Sequence, residues 1–204
     1  MFGKMAAEAL GISDIGSVVG PADFNKTDAD DYVMHEEQEH IFFMIKSKTD
    51  EYCFTNLALI HVDGTSAMSK KRTLRRMSYA HYPIRHVTLE TAGTIDLDIE
   101  IKFMMGEKTY SIDVNKKYIE QLKDLYKALL KICDIQIENE RFQAFAHKSL
   151  DTATTTLNRA NKTEINITEQ FDSINQYSFN WLKQAHENYV RKDFGDVFKL
   201  FINN

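Results

Sequence analysis

The stretch 84–103 reads IRHVTLETAGTIDLDIEIKF, and from Thr94 onward it alternates strictly. Ile95, Leu97, Ile99, Ile101 and Phe103 fall on one side, and Asp96, Asp98, Glu100 and Lys102 on the other. A period of two marks a strand with one buried and one solvated face. The Glu90-Thr91-Ala92-Gly93 segment before it predicts a tight reversal, since Gly93 adopts positive φ at no steric cost. The stretch therefore reads as an antiparallel hairpin, and nothing in it has the pattern of an active site.

Outward from this hairpin the β pattern extends from His40 to Asn115, with strands expected over 39–47, 51–54, 57–62, 71–81, 84–91, 95–104 and 108–114. The intervening KTD, TN, DG, YP, AG and GE segments carry residues that favour reversals. Seven short strands joined by short turns imply an antiparallel sandwich or partly open barrel, because parallel strands need crossovers for which there is no room. At 118–133 the period changes. Ile119, Leu122, Leu125, Tyr126, Leu129, Leu130 and Cys133 form one helical stripe, suited to covering the open apolar face of the barrel.

The flanks read as helical. Residues 1–37 carry two weakly amphipathic segments, the second with Pro21 in its first turn. Residues 134–204 carry a helix with Phe142, Phe145, Ala146 and Leu150, weakened by the threonines that follow. Thr168 is the expected N-cap of a helix bearing Phe171, Ile174, Trp181, Leu182, Ala185 and Tyr189, and Asp193 that of a final helix with Phe194, Val197, Phe198 and Phe201 on one stripe. The chain thus divides into an N-terminal helical segment (1–37), a β domain with its helix (38–133) and a C-terminal helical extension (134–204).

Composition narrows the function classes. With 43% hydrophobic and 27% charged residues in 204, the chain has the make-up of a folded globular protein. A net charge of −5 argues against a dedicated nucleic-acid binder. Two cysteines in unrelated contexts, Cys53 and Cys133, imply no disulfide framework and a reducing compartment. Lys4 and Glu8 interrupt what would be the apolar core of a signal peptide, and no run approaches a membrane span, so a cytoplasmic location is expected.

The run Phe54-Thr55-Asn56-Leu57-Ala58-Leu59-Ile60, then Asp63-Gly64, Ser69-Lys70-Lys71, Pro83-Ile84 and Leu89-Glu90-Thr91-Ala92-Gly93 with Ile95-Asp96-Leu97-Asp98, resembles a bacterial pleckstrin-homology (PH) domain across about 33–133. Ile167-Thr168-Glu169-Gln170, Trp181-Leu182-Lys183 and Asp193-Phe194 are similar to the helical oligomerisation extension found on some of these proteins. The resemblance implies a mainly β fold with α, namely a seven-stranded antiparallel, PH-like, partly open barrel capped by an amphipathic helix and followed by a helical extension. It also implies a non-enzymatic family, largely of unknown function, that tends to form ring-like homo-oligomers. Phosphoinositide binding by eukaryotic relatives does not transfer by fold.

Candidate chemistry is sparse. The basic cluster Lys70, Lys71, Arg72, Arg75 and Arg76 is a candidate anionic-ligand or membrane-surface site. On a strand, however, Lys71 and Arg75 point one way and Arg72 and Arg76 the other, so pairing with carboxylates of the same fold is the stronger reading. Lys46 and Lys48 are offset by Asp50 and Glu51, a poor phosphate funnel. The seven histidines offer no HExxH, and His35 and His40 lack a third converging ligand, so no metal is expected. GISDIGSVVG matches no phosphate-binding loop, and no cofactor is expected. The expected partner is a second copy of the chain, with other proteins as further candidates and with weak or no membrane binding and no nucleic acid. The expected interface combines the Asp96, Asp98 and Glu100 row, meeting Lys71 and Arg75 of a neighbour, with Phe194, Phe198 and Phe201 of the final helix.

Overall fold

In a computed structural model of the chain, the described residues are 14–64, 72–91, 98–160 and 167–202. They form two antiparallel sheets. Strands β1 (Ser17–Val18), β2 (Ile41–Lys46), β3 (Asp50–Thr55), β4 (Ala58–Gly64) and β5 (Arg72–Ser78) lie in that order in one sheet. Strands β6 (Ile84–Glu90), β7 (Asp98–Met105) and β8 (Lys108–Asn115) form the other. All seven expected strands are present, and β7 keeps the alternation that decides the fold. Ile99, Ile101, Phe103 and Met105 are buried, whereas Asp98, Glu100, Lys102 and Met104 are partly exposed. The expected turn at Gly93, with Ile95, Asp96 and Leu97, lies outside the described residues.

Local chemistry explains the hairpins that are described. Gly106 and Glu107 form a two-residue loop between paired Met105 and Lys108, and Gly106 has φ 58°, the left-handed region open to glycine. Between β3 and β4 the Thr55 hydroxyl accepts the Leu57 and Ala58 amides at 3.1 and 2.9 Å, which holds the Asn56-Leu57 turn. The Asp63-Gly64 pair, expected as a turn, instead ends β4, with Gly64 opposite Arg72. A Cβ on Gly64 would stand 2.4 Å from Arg72 Nη1 and 2.6 Å from the Thr49 carbonyl, so glycine serves here for close approach rather than reversal.

The facing surfaces of the two sheets pack through Phe54 on Phe103 (6.0 Å between ring centroids) and Tyr52 on Tyr110 (6.3 Å). The opposite face of the five-stranded sheet is also buried. Met44, Cys53, Ile60 and Val62 pack there with Ala29 and Val33, flanked by Val19, Phe24 and Ile41. The second helix expected in the N-terminal segment, from Pro21, does not form, and the first lies outside the described residues. The described part of the segment is β1 followed by 3-10 turns at Pro21–Lys26, Asp30–Tyr32 and His35–Glu37, and it roofs the sheet. Gly16 joins the two sheets: its amide donates to the Asp113 carbonyl at 2.8 Å, and its carbonyl accepts the Asn115 amide at 3.0 Å.

Helix α1 (Ile119–Ala160) is one continuous helix of 42 residues rather than a short lid followed by a second helix. Leu122, Leu125, Ala128, Leu129 and Ile132 are buried by its first part. No glycine or proline stands between Gly106 and Gly195 to stop it. The threonines do not end it, and Thr152, Thr154, Thr155 and Thr156 donate to the carbonyls four residues back.

Helices α2 (Ile167–Tyr189) and α3 (Gly195–Phe201) complete the described chain. By contacts it forms two compact units, Met1–Cys133 with Lys192–Asn204, and Asp134–Arg191. The last residues, Lys192–Asn204, are grouped with the first unit. Phe198 stacks on Phe42 at 5.4 Å, and Tyr79 meets Phe194 edge-on at 5.7 Å. The Phe194 amide donates to the Asn56 carbonyl at 2.9 Å, and Asn56 Nδ2 donates to Asp193 Oδ2 at 2.8 Å. Asp193 is not the N-cap residue, a position held by Phe194, but its Oδ1 accepts the Gly195 amide at 2.7 Å. Phe194 and Phe198, expected at an interface between subunits, are thus fully buried within their own unit, while Phe201 stays partly exposed. Among the described residues no helix is long and apolar enough to cross a membrane.

Candidate functional site

Strand β5 positions three members of the basic cluster, while Lys70 and Lys71 lie outside the described residues. Arg72 Nη1 donates to the Thr49 carbonyl at 2.6 Å, and its Nη2 lies 3.8 Å from Asp28. Arg75 donates to Asp63 Oδ2 at 2.6 Å. Arg76 donates to both oxygens of Glu39 at 2.9 Å. In register, Arg75 lies opposite His61 and Arg76 opposite Ile60, so the two side chains leave opposite faces of the sheet, as the alternation predicts. The described arginines diverge and each meets an acceptor of its own chain. They do not make a single anion pocket.

Two buried carboxylates account for part of this pairing. Glu39 has no exposed side-chain surface and accepts the Met34 amide at 2.7 Å, the Thr55 hydroxyl and Arg76. Glu51, also buried, accepts the Ala29 amide at 2.8 Å and the Lys46 ammonium. Each carboxylate ties the N-terminal roof to the sheet beneath it. An anion in a low-dielectric place needs a cation or several donors, and Arg76 and Lys46 supply the cations. Beside Glu39, burial pushes the Cys53 thiol far above its ordinary range, so this cysteine behaves as a small apolar side chain.

A second polar cluster lies between the sheets, and sequence reasoning missed it. His61 on β4 is 5% exposed and stacks on Tyr52 at 4.4 Å with 9° between the rings. Its Nε2 lies 2.8 Å from Asp50 Oδ1, and its Nδ1 lies 3.3 Å from Lys108 Nζ. Burial acts to raise the Asp50 carboxyl, but the hydrogen bonds from His61 and Thr49 outweigh it and hold the group below its usual value. Asp50 is therefore ionised and accepts from Nε2–H, which leaves the Nδ1 lone pair to accept from Lys108. Lys108 also sits 4.6 Å from the Tyr110 ring centroid, and burial pushes the Tyr110 hydroxyl up to about 12. The available signal was position: His61 stands between Ile60 and Val62 in an apolar strand, and Lys108 directly follows the Gly106-Glu107 turn.

The acidic row is also engaged within the chain. Glu100 meets Lys102 at 2.8 Å and accepts the Ser111 hydroxyl, and Lys102 reaches Glu90 at 2.9 Å. These bonds, the Lys102 one foremost, hold the Glu100 carboxyl below its usual value. Asp98 stands on the same strand face, and Asp96 lies outside the described residues. Since Glu100 and Arg75 are occupied at home, a contact between an acidic row and a neighbour's basic row has no described support. His35 Nε2 lies 3.2 Å from Asp30, and among the described residues no group of three or more His, Cys, Asp or Glu side chains is arranged to hold a metal.

In the second unit much apolar surface is uncovered. Trp181 Nε1 donates to the Ala146 carbonyl at 3.2 Å, and Phe142 stacks on Tyr189 at 5.5 Å. Of the described side chains in this unit only Gln136 and Ala185 are buried. Phe171, Tyr177 and Phe179 remain 67%, 65% and 66% exposed, with Phe145 similar.

Two antiparallel sheets packed face to face, with a helix closing the core and a helical unit inserted before the last helix, define a PH-like protein with an appended module. Comparison with known proteins agrees. The family model described as "Bacterial PH domain" matches residues 9–133, and a second, "YvbH-like oligomerisation region", matches 144–204. The chain belongs to the bacterial PH-domain family. It is 55% identical over 204 residues to "Uncharacterized protein YvbH" of Bacillus subtilis (strain 168), covering the whole of both chains. It is 31% identical over 98 residues to "Uncharacterized protein YjqA" of the same organism, covering 48% of this chain and 77% of that one. Among solved structures, a PH domain-containing protein from Exiguobacterium sibiricum 255-15 has 53% identity and a TM-score of 0.86, covering 93% of this chain and 100% of that one.

Proposed function

We propose that the protein is a non-enzymatic, cytoplasmic PH-like interaction module that assembles with copies of itself through its helical unit. The observation that carries this reading is the exposure of Phe171, Tyr177 and Phe179 on helix α2, in a unit that buries almost nothing of its own. Two helices cannot cover such a load alone, and exposed apolar surface of this kind marks an association site. Burying these three side chains with Phe145 would contribute roughly 6–12 kcal/mol, at about 1.5–3 each, before ordering costs. The match to an oligomerisation region over 144–204 supports the same assignment.

Light scattering of the full-length chain at micromolar concentration tests it. The expected mass is several subunits, and Phe171→Ser with Tyr177→Ser and Phe179→Ser is expected to shift it towards one. A native mass of one subunit overturns the reading. The alternative, a peripheral membrane module using residues 70–76, draws less support, since the described arginines of that stretch meet acceptors of their own chain.

A further inference from the structure

We propose that Lys108 is a modification site: an amine nucleophile, activated by His61, that takes an acyl group from a small acyl phosphate or acyl thioester. The geometry is that of a nucleophile, a base and a group that orients the base. Lys108 Nζ lies 3.3 Å from His61 Nδ1, and His61 Nε2 lies 2.8 Å from the Asp50 carboxylate. The Tyr52 ring stacked on the imidazole at 4.4 Å fixes its plane. Lys108 follows the turn at Gly106-Glu107 and is partly exposed, so an electrophile reaches Nζ from solvent.

Surroundings support the free amine. Lys26, Lys46, Lys102, Lys123 and Lys127 rest on carboxylates. Lys108 rests instead on a histidine acceptor. Burial, followed by the Arg75 charge, holds its ammonium below the usual lysine value, against the opposing pull of Asp63 and Asp50. The groups facing the site are thus Asp50 and Tyr52 from β3, Asp63 from β4, Arg75 from β5 and Tyr110 from β8.

The step balances without a further reagent. The Lys108 ammonium passes one proton to His61 Nδ1, and the imidazolium is stabilised by Asp50. The freed nitrogen pair attacks the acyl carbon, the N–C bond forms, the C–O or C–S bond breaks, and the departing phosphate or thiolate takes the second proton from the nitrogen. The amide formed is neutral, so acylation removes the positive charge beside Arg75 and over the Tyr110 ring.

The full-length protein is incubated in separate arms with acetyl phosphate and with a small acetyl thioester, and acetylation of each lysine is followed by peptide mass spectrometry. Lys108 is expected to react about 100-fold faster than Lys123 or Lys127, the low end for a positioned base. His61→Gln is expected to bring it to their rate, and the arm that reacts identifies the donor. If that variant fails to fold, the pH profile of the native chain decides. The Lys108 rate is expected to level off at lower pH than that of Lys123. Equal rates at Lys108, Lys123 and Lys127 in both arms, or a Lys108 rate unchanged in folded His61→Gln, or coincident pH profiles, overturn the proposal.

Discussion

Arg76 Nη1 stands 2.9 Å from each oxygen of Glu39, whose side chain has no exposed surface. The cation that looked available to a ligand is thus the counter-ion of a buried carboxylate that also holds the N-terminal roof. Removing Arg76 would strand that charge. Arg76→Ala is expected to cost about 3 kcal/mol, the low end for breaking a buried pair, since Arg76 itself keeps 25% of its side chain exposed. Urea unfolding checks this, and Arg76→Lys is expected to recover part of the loss. A cost near zero would show that Glu39 finds another partner.

The final helix leads to a second expectation. Phe198 is fully buried between Phe42 and Tyr79, so Phe198→Ala is expected to destabilise the PH unit by about 3–5 kcal/mol. Serine at Phe171, Tyr177 and Phe179 is expected to leave that stability nearly unchanged while lowering the assembled mass. For the same reason, deleting 134–204 is a poor test of assembly, since it also strips Phe194 and Phe198 from the PH core. Denaturant midpoints and light scattering on both variants separate the two roles.

Asp50 predicts a pH dependence. Its folded carboxyl titrates below the unfolded one, so the stability it contributes is complete above the ordinary carboxylate range and is lost as pH falls through the folded value. Asp50→Asn is expected to be less stable than the native chain by about 1.5–3 kcal/mol at neutral pH, the worth of a hydrogen bond to a charged group. The gap is expected to close on acidification below about pH 4. Unfolding curves at several pH values decide, and a gap constant across the series would assign the loss to packing.

Membrane affinity is expected to be weak and unspecific. Lys71→Glu with Arg75→Glu is expected to change cosedimentation with phosphatidylserine-rich vesicles little, at low salt and at high salt. If the native chain binds one phosphoinositide tightly and the double variant does not, the peripheral-membrane reading replaces the assembly reading.

Charge reversal at Glu100 is expected to leave the assembled mass unaltered, because its partners Lys102 and Ser111 belong to the same sheet. A fall in mass, read by light scattering, would place the acidic row at an interface after all.

Much of the fold was legible because it rests on short-range periodicity. The alternation in β7 and the stripe Leu122, Leu125, Leu129 name their buried faces directly, and Gly106 names its turn. Asp63-Gly64 misled because a glycine serves both reversal and close approach, and only the Arg72 side chain crossing it tells which. The threonines near the end of α1 do not stop the helix because propensity is a weak prior that context overrides. His61, Asp50 and Lys108 were invisible as a group, since they come from three strands and two sheets.

By itself the sequence determined the antiparallel strands and the helix that closes their core, both set by side chains a few residues apart. Only the tertiary structure decided that the N-terminal segment roofs the sheet, that Arg76 answers Glu39 and that Asp193 reaches Asn56 across 137 residues of chain. The physical reason is one of range. Burial patterns repeat along the backbone, but the partner of a buried charge or ring is whichever element the folded chain brings against it.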